Sequence, residues 1–195
     1  MRILAVSDEE SEYFYDYYHP GKLNGFDLII GCGDLSEDYL EFLVTMADCP
    51  LVYVHGNHDE NHKRVPTGCI CIDDNLIEVG GLRIVGLGGS RKYRDGKYMY
   101  TEQQMQNRIR KLWFKIKRND GFDILVTHAP ARHLNDLETV PHKGFDCFNA
   151  LLDKYHPRLF VHGHVHRTYN NNIPQRCIHN GTLVINASGY CVIDI

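Results

Sequence analysis

The segment from Leu51 to Asp59 constrains this chain more than any other stretch. Its first part, Leu51–Val54, combines apolar and aromatic residues with two β-branched valines, which is typical of a strand buried in a parallel sheet. The run breaks at Gly56 into the polar tripeptide Asn57-His58-Asp59. Open α/β sheets carry their chemistry at the carboxyl ends of such strands, so these side chains are candidates for a functional site. Taken alone, the tripeptide also fits an ordinary turn capped by Asn and Asp.

The same arrangement recurs at four other buried, strand-like runs, which makes a chance series of capped turns improbable. The runs and the polar residues that follow them are Arg2–Val6 with Asp8 and Glu10, Leu28–Ile30 with Asp34, Phe122–Val126 with His128, and Arg158–Val161 with His164 and His166. Between the second run and Leu51, Ser36–Ala47 has helical spacing, with Ser36 as the predicted N-cap. This order of elements indicates an α/β fold with ligand-type side chains at the strand ends.

The remaining segments are predicted from their periodicity and turn residues. Helices are expected over Tyr13–Tyr18, Thr101–Arg118 and Phe145–Lys154. A hairpin turn is expected at Gly80-Gly81, and β-structure from Arg176 to Ile195. The long helix is predicted to bury an apolar face made of Met105, Ile109, Leu112, Trp113 and Ile116. It is predicted to expose a basic flank made of Arg108, Lys111 and Lys115. Binding of nucleic acid by that flank is the less favoured interpretation.

Composition limits the classes of function. The chain has 195 residues, enough for a substantial core, and residues 1–195 are interpreted as a single domain. A net charge of −4 gives no strong signal for nucleic acid, no apolar run has membrane-spanning length, and Ile3–Val6 is too short for a signal peptide. The seven cysteines, of which Cys69 and Cys71 are spaced to share one face of a strand, are interpreted as reduced thiols of a cytoplasmic protein. A metal or disulfide role is the less favoured alternative.

Together, the strand-end residues offer imidazole, carboxylate and amide oxygen groups. This mixture suits transition metals such as Mn, Fe, Zn or Co better than it suits calcium. The candidates are too numerous for one tetrahedral ion, whereas two ions that share a central carboxylate could use them all. Two ions ~3.5–4 Å apart can hold a hydroxide and clamp both the attacking and the leaving oxygen of an in-line displacement.

Five motifs resemble those of the calcineurin-like metallophosphoesterases and occur in the order typical of that family. They are Asp8 in Ser-Asp, Gly33-Asp34, Gly56-Asn-His-Asp59, His128 and Gly163-His-Val-His166. The resemblance implies a four-layer αββα sandwich, in which two mixed β-sheets are flanked by helices and the tail strands belong to the second sheet. It also implies two divalent metal ions and hydrolysis of a phosphoester, either a diester or a monoester. The physiological substrate and the oligomeric state stay open.

The resemblance further implies roles for individual residues. The first metal would be held by Asp8 and His166, the second by Asn57, His128 and His164, and Asp34 would bridge the two. His58 would be catalytic, facing the phosphate and supporting the leaving oxygen, and Asp59 would orient His58. This division makes chemical sense, because two cations activate a water molecule while a positioned imidazole typically contributes ~10²–10⁴-fold.

Glu10 departs from the family pattern, which places a histidine two residues after the first aspartate. We predict that Glu10 is a ligand of the first metal through one carboxylate oxygen. Oxygen is a harder donor than imidazole nitrogen, so Mn²⁺ or Fe²⁺ would be favoured, with Zn²⁺ as a further option. The added negative charge would penalise a dianionic monoester more than a diester. Alternatively, Glu10 points away and the first site is weak or empty.

The sequence offers few candidate residues for binding the substrate. Arg91 is the candidate for a contact with substrate phosphate, with Arg94 and Lys97 in the same charged loop, although a solvated loop fits these residues equally well. His142 could support the site from behind or be structural.

An alternative function is a non-catalytic scaffold for protein interactions on the same fold, like the retromer subunit that resembles this family. A scaffold has no need for the complete set of Asn57, His58, His164 and His166. The sequence therefore favours the enzyme.

Overall fold

A computed structural model of the chain describes residues 1–166 and 174–195. The strands in this part of the chain are β1 (Arg2–Ser7), β2 (Leu28–Gly31), β3 (Leu51–Tyr53), β4 (Cys69–Cys71), β5 (Asn75–Val79), β6 (Leu82–Leu87), β7 (Ser90–Arg91), β8 (Met99–Tyr100), β9 (Ile124–Thr127), β10 (Leu159–His162), β11 (Arg176–His179), β12 (Thr182–Asn186) and β13 (Gly189–Asp194). The helices are α1 (Glu37–Met46), α2 (Glu102–Arg118) and α3 (Asp146–Tyr155), and single 3-10 turns occur at Asp59–Asn61 and Val140–His142.

Two large sheets organise the described residues. The first has the strand order β13-β1-β2-β3-β4, in which β1 to β4 are parallel and β13 is antiparallel to β1. The second has the order β11-β12-β10-β9-β6-β5, with parallel pairing in its centre and an antiparallel strand at each edge. Both sheets are therefore mixed, and the parallel strands at the centre of each sheet direct their carboxyl ends towards one edge.

Alternation of side chains along the central strands builds the layers. Ile3 and Ala5 of β1 contribute to an apolar cluster between the two sheets, whereas Leu4 and Val6 face the opposite way and pack with Leu40 and Leu43 of α1. In the second sheet the same alternation sends Ile124 and Val161 into the cluster between the sheets, and Leu125 and Phe160 against α2 and α3. Because a strand that is buried on both faces must be apolar at every position, these strands appear in the sequence as continuous apolar runs. The structure is thus the four-layer αββα sandwich that was predicted.

Helix starts agree with the residues chosen from the sequence. The Ser36 hydroxyl accepts a hydrogen bond from the Tyr39 amide at 3.1 Å and caps α1. Thr101 and Gln104 form a reciprocal capping box at the start of α2. Gly80 and Gly81 both have positive φ, as a tight hairpin turn between β5 and β6 requires.

Four expectations were wrong in detail. Tyr13–Tyr18 forms turns rather than a helix. Trp113, which was expected on the buried apolar face of α2, is 47% exposed. Arg108, which was expected on the solvated flank, is only 8% exposed. The Arg108 guanidinium donates to Asp74 at 2.7 Å and to the Gly88 carbonyl at 2.6 Å, so its charge is paired inside the protein. Of the tail strands, β11 and β12 join the second sheet as predicted, but β13 joins the first sheet beside β1. Within residues 1–166 and 174–195, no helix has the length and apolar character needed to cross a membrane.

Candidate metal centre

The carboxyl ends of five central strands, three in the first sheet and two in the second, meet around one small pocket. The residues that line the pocket are Asp8, Asp34, Asn57, His58, Tyr93, Pro141, His142, His164 and His166. His128 lies directly beneath it and contacts Asn57 and His164. Packing the two sheets face to face therefore brings together Asp8, Asp34, Asn57, His58, His128, His164 and His166, all of which were predicted from separate segments of the sequence.

The Nε2 atom of His128 lies at the centre of a group of hydrogen-bond acceptors. It lies 3.0 Å from Oδ1 of Asn57, 3.3 Å from Oδ2 of Asp34 and 3.1 Å from Nδ1 of His164. Ligand atoms of Asp34, His128 and His164 all lie within 4.8 Å of one another. The spacing is close enough for one cation to contact all of these groups.

Backbone carbonyls determine which nitrogen of each ring faces this group. Nδ1 of His128 lies 2.7 Å from the Cys32 carbonyl, and Nε2 of His164 lies 2.7 Å from the Pro141 carbonyl. A carbonyl oxygen only accepts, so these two nitrogens carry hydrogen and the inward nitrogens of the neutral rings carry lone pairs. Metal-ligating histidines are held in this way. The inward imidazole nitrogens, the Asp34 carboxylate and the Asn57 amide oxygen are then all acceptors, a set that fits a divalent metal ion.

The electrostatics of the centre favour positive charge. Burial lowers the pKa of His128, but the Asp34 carboxylate more than offsets this and raises the pKa to about 10. Burial likewise raises the pKa of Asp34, but the His128 ring outweighs it and holds the pKa of the Asp34 carboxyl well below its usual range. Burial and then the nearby His128 charge lower the pKa of His164 to about 3. A cation among these groups would stabilise the ionised carboxylate and the neutral rings together.

The backbone at the centre is strained in the manner of a functional site. Asp8, Asp34 and His164 have φ values of 65°, 56° and 69°, in the left-handed region that costs a non-glycine residue about 1–2 kcal/mol. Two glycines allow the close approach. A Cβ atom on Gly56 would lie 2.0 Å from Oδ1 of Asp34, and one on Gly163 would lie 1.9 Å from the Ser7 hydroxyl. These glycines belong to the two most specific motifs of the sequence.

The second half of the centre is built around Asp8. The Asp8 carboxylate accepts hydrogen bonds from the His164 amide at 2.9 and 3.1 Å, and its Oδ1 lies 3.9 Å from Nε2 of His166. Burial raises the pKa of Asp8, so a cation here would also stabilise its charged form. Asp8 and His166 are thus positioned to share an ion.

Glu10 does not lie with them. Its Oε1 accepts from the Ser36 hydroxyl at 2.5 Å and lies 3.4 Å from the Ser36 amide, so it supports the cap of α1. The neighbouring residue Glu9 is the one that reaches His166, with its Oε1 3.0 Å from Nδ1. The structure therefore matches the alternative in which Glu10 points away from the first metal. The reason is the competing donor on α1, which no local pattern around Asp8 reveals.

His58 and Asp59 occupy different positions relative to the pocket. The His58 side chain is exposed at the pocket, and its amide donates to Oδ1 of Asp34 at 2.7 Å. Asp59 is buried, and its Oδ2 accepts from the amides of Gly56 at 2.7 Å and Asp34 at 3.1 Å. Its other oxygen lies 3.1 Å from the His62 ring. Among the described contacts, Asp59 therefore shapes the loop that carries His58 and does not hold the His58 ring.

The basic residues proposed for substrate binding are turned to other partners. Arg91 donates to Glu102 at 2.8 Å and to the Gly144 carbonyl at 3.0 Å, which places its guanidinium against α2 and outside the pocket lining. Arg94 pairs with Glu60 at 3.0 Å. The ammonium of Lys97 lies over the Tyr98 ring.

Three further residues line the pocket, namely Tyr93, Pro141 and His142. Tyr93, from the charged loop, was missed by the sequence analysis because nothing in the pattern distinguishes it from its neighbours. His142 was considered without a definite role, and its ring lies 5.3 Å from the ring of His164.

Sequence comparison identifies several related proteins. The chain is 30% identical over 115 residues to human metallophosphoesterase domain-containing protein 1, an alignment that covers 56% of this chain and 33% of the relative. The chain therefore aligns with only about a third of the length of this curated relative. It is also 26% identical over 217 residues to an uncharacterized protein of Haemophilus influenzae, covering 92% of this chain and 90% of that one.

Structural comparison supports the same fold. A crystal structure of the protein TT1561 from Thermus thermophilus matches with a TM-score of 0.61 and 15% identity, covering 96% of this chain and 89% of that chain. A further crystal structure matches with a TM-score of 0.69 and 12% identity, covering 99% and 94% of the two chains. A model of the calcineurin-like phosphoesterase family matches residues 1–168, and with the motif residues gathered at one pocket, the chain belongs to the calcineurin-like phosphoesterase family.

Proposed function

We propose that this protein is a metal-dependent hydrolase that cleaves a phosphoester with two divalent ions. The observation that carries the proposal is the convergence of Asp34, Asn57, His128 and His164, with their acceptor atoms facing one another and the outer nitrogens of the two rings held by backbone carbonyls. In the metal-free chain these groups surround a proton on His128, whose pKa is raised to about 10. With that ring neutral they would be acceptors facing acceptors, and a divalent cation would supply the positive charge instead.

The two ions would use different parts of the pocket. Asp8 and His166 would hold one ion, Asn57, His128 and His164 the other, and Asp34 would bridge them. When bound, the two ions would activate a water molecule and neutralise charge on the phosphate. With Glu9 and Asp8 both beside His166, the first position offers carboxylate oxygens without a contribution from Glu10, which is bonded to Ser36. Such donors favour Mn²⁺ or Fe²⁺ over Zn²⁺.

His58 is proposed to assist the leaving group. Its amide is bonded to Asp34, so the loop that carries it is tied to the centre, and its exposed side chain lines the pocket that a phosphoester would enter. A proton delivered by the imidazole to the leaving oxygen would relieve the charge that develops there, an effect of ~10²–10⁴-fold in typical cases. Asp59 supports this role indirectly, through the amides of Gly56 and Asp34.

A diester is the proposed class of substrate. None of the described residues that line the pocket is Lys or Arg, and two of them are the carboxylates of Asp8 and Asp34. Arg91 and Arg94 are paired with Glu102 and Glu60. A dianionic monoester would meet little positive charge beyond the ions themselves, whereas a diester carries a single negative charge and is less penalised.

The test begins with metal analysis of the purified full chain, followed by turnover of bis-p-nitrophenyl phosphate and p-nitrophenyl phosphate with Mn²⁺. We expect two ions per chain and a higher kcat/KM for the diester. Asp34→Asn should lose metal and nearly all turnover, while the matched change Asp153→Asn, at an exposed carboxylate on α3 that pairs with His179, should lose neither.

Turnover without stoichiometric metal, or an Asp34→Asn variant with two ions and near-normal rate, would contradict the proposal. A preference for the monoester would overturn only the assignment of substrate class. A protein with neither metal nor turnover would instead behave as the alternative scaffold.

A further inference from the structure

A second group of metal-ligand side chains lies outside the pocket, at the outer edge of the first sheet. It consists of His55, Cys71 and Asp73, whose ligand atoms all lie within 4.8 Å of one another. None of the three lines the pocket described above. We propose that they bind a single thiophilic divalent cation of the Zn²⁺ type.

Strand pairing creates this group. Cys71, the last residue of β4, is paired in register with Tyr53 of β3. His55 follows Tyr53 by two residues and Asp73 follows Cys71 by two, so both ligand-bearing segments leave the same edge of the sheet together. Nδ1 of His55 lies 2.6 Å from Oδ2 of Asp73 and 3.8 Å from the Cys71 sulfur.

The carboxylate and the imidazole are held in place before any ion binds. Asp73 accepts from the His55 amide at 3.2 Å and from the Gly88 amide at 2.7 Å. The His55 ring stacks on Tyr98, with the ring centres 4.6 Å apart and the planes 10° from parallel. Gly88 is required for this packing, since a Cβ atom there would lie 2.4 Å from Oδ1 of Asp73. Ligands oriented by such outer contacts bind metal ions well.

The geometry suits a tetrahedral ion better than a catalytic relay. Around a tetrahedral zinc ion, sulfur and nitrogen ligands lie about 3.6 Å apart and nitrogen and oxygen ligands about 3.4 Å apart. The sulfur–nitrogen distance of 3.8 Å already matches. The shorter nitrogen–oxygen distance of 2.6 Å is that of a hydrogen bond, and it would open when the ion replaces the proton on Nδ1.

A Cys–His–Asp catalytic relay does not fit the same atoms. In such a relay the nucleophile and the acid contact opposite nitrogens of the imidazole. Here Cys71 and Asp73 both contact Nδ1 of His55.

Ligand chemistry and access identify the type of ion. Thiolate, imidazole and carboxylate together favour Zn²⁺ over Mn²⁺ or Mg²⁺. Cys71 is the exposed cysteine among the seven, so an ion can enter from solvent and a water can complete its shell. The ion would link Cys71, at the end of β4, to His55, which follows β3 and lies two residues before Asn57 of the metal centre. The site is thus a metal position separate from the pocket, at the edge of the first sheet.

Cobalt provides the test, because a thiolate bound to Co²⁺ gives a charge-transfer absorption that oxygen and imidazole ligands do not. The full chain, stripped of metal by a chelator, is titrated with Co²⁺ alone. We expect this absorption to reach the intensity of one thiolate-bound Co²⁺ per chain once all positions are filled, and to vanish in Cys71→Ser. Cys69→Ser is the matched control, since Cys69 lies on the same strand but its sulfur contacts the Leu40 carbonyl, and it should keep the full signal.

Two further variants separate this site from the proposed catalytic centre. Asp34→Asn should keep the thiolate absorption while losing the ions of the pocket. Asp73→Asn should weaken Co²⁺ binding at the thiolate site and leave the circular dichroism spectrum of the fold unchanged. Absence of the absorption in the wild type, or its persistence in Cys71→Ser, overturns the inference whatever the outcome for phosphoester hydrolysis.

Discussion

Gly56→Ala tests the metal centre most directly, because the position of an added Cβ atom shows how far the atoms of Asp34 must move. An added Cβ atom would lie 2.0 Å from Oδ1 and 2.5 Å from the amide nitrogen of Asp34. Real Cβ atoms essentially never approach closer than 3.0 Å, so the Asp34 carboxylate or the loop must shift. The same Oδ1 accepts the hydrogen bond from the His58 amide, and that contact would be disturbed as well.

The size of the effect follows from that displacement. A shift of about 1 Å in a group that positions the reaction typically costs ~10²-fold in rate, and we expect a loss of that order in kcat/KM. Crowding of a packed site typically costs about 1–3 kcal/mol in the free energy of unfolding. Metal content should fall too, because Asp34 is the proposed bridge between the two ions.

Turnover of the phosphodiester, metal content and urea unfolding of the metal-free chain measure these three effects. Gly181→Ala is the matched control, since Gly181 has φ of 86° with no heavy atom within 4 Å of the added Cβ. It should lose about 1–2 kcal/mol of stability through backbone strain while keeping its metal and its rate. If Gly56→Ala keeps two ions and a rate within a few-fold of wild type, the close approach of Gly56 to Asp34 has no functional importance and the reasoning fails.

Further predictions address single groups. His58→Gln should keep its metal and lose rate mainly on esters with poor leaving groups, because an activated phenolate needs little protonation; a loss of metal would instead make His58 a ligand. Glu10→Ala should weaken the cap of α1 slightly and leave the metal content unchanged, and a lost ion would return Glu10 to the ligand set. In the metal-free chain, burial lowers the pKa of His55 but its hydrogen bond to Asp73 outweighs this and raises the pKa from 6.5 to about 10. This pair should therefore stabilise the fold fully below about pH 6.5 and lose its contribution as pH rises towards about 10, a difference that urea unfolding of wild type and His55→Gln at several pH values would detect.

The elements of this fold could be predicted because their signals are local. A strand buried on both faces must be apolar throughout, so β1, β2, β3, β9 and β10 are visible as short runs in the sequence. Ser36 and Thr101 mark helix starts because a hydroxyl satisfies amides within the same turn. The motif residues could be assembled into a proposed site because each follows such a strand directly.

Tertiary structure alone decided the contacts that depend on partners distant in the chain. β13 shares its β-pattern with the other tail strands, and only its pairing with β1 places it in the first sheet. Arg108 has the sequence spacing of a residue on a solvated helix flank. Its side chain is nevertheless buried, because the guanidinium donates hydrogen bonds to Asp74 and to the Gly88 carbonyl.

The same reason explains the differences at the pocket. Side chains in loops have no periodicity, and their direction is chosen by the donors and acceptors that packing brings near. Glu10 turns to Ser36, Arg91 turns to Glu102, and Tyr93 reaches the pocket from the charged loop. The sequence by itself therefore determined which elements form and which residues follow them, while the packing of the two sheets decided which of those residues face one another.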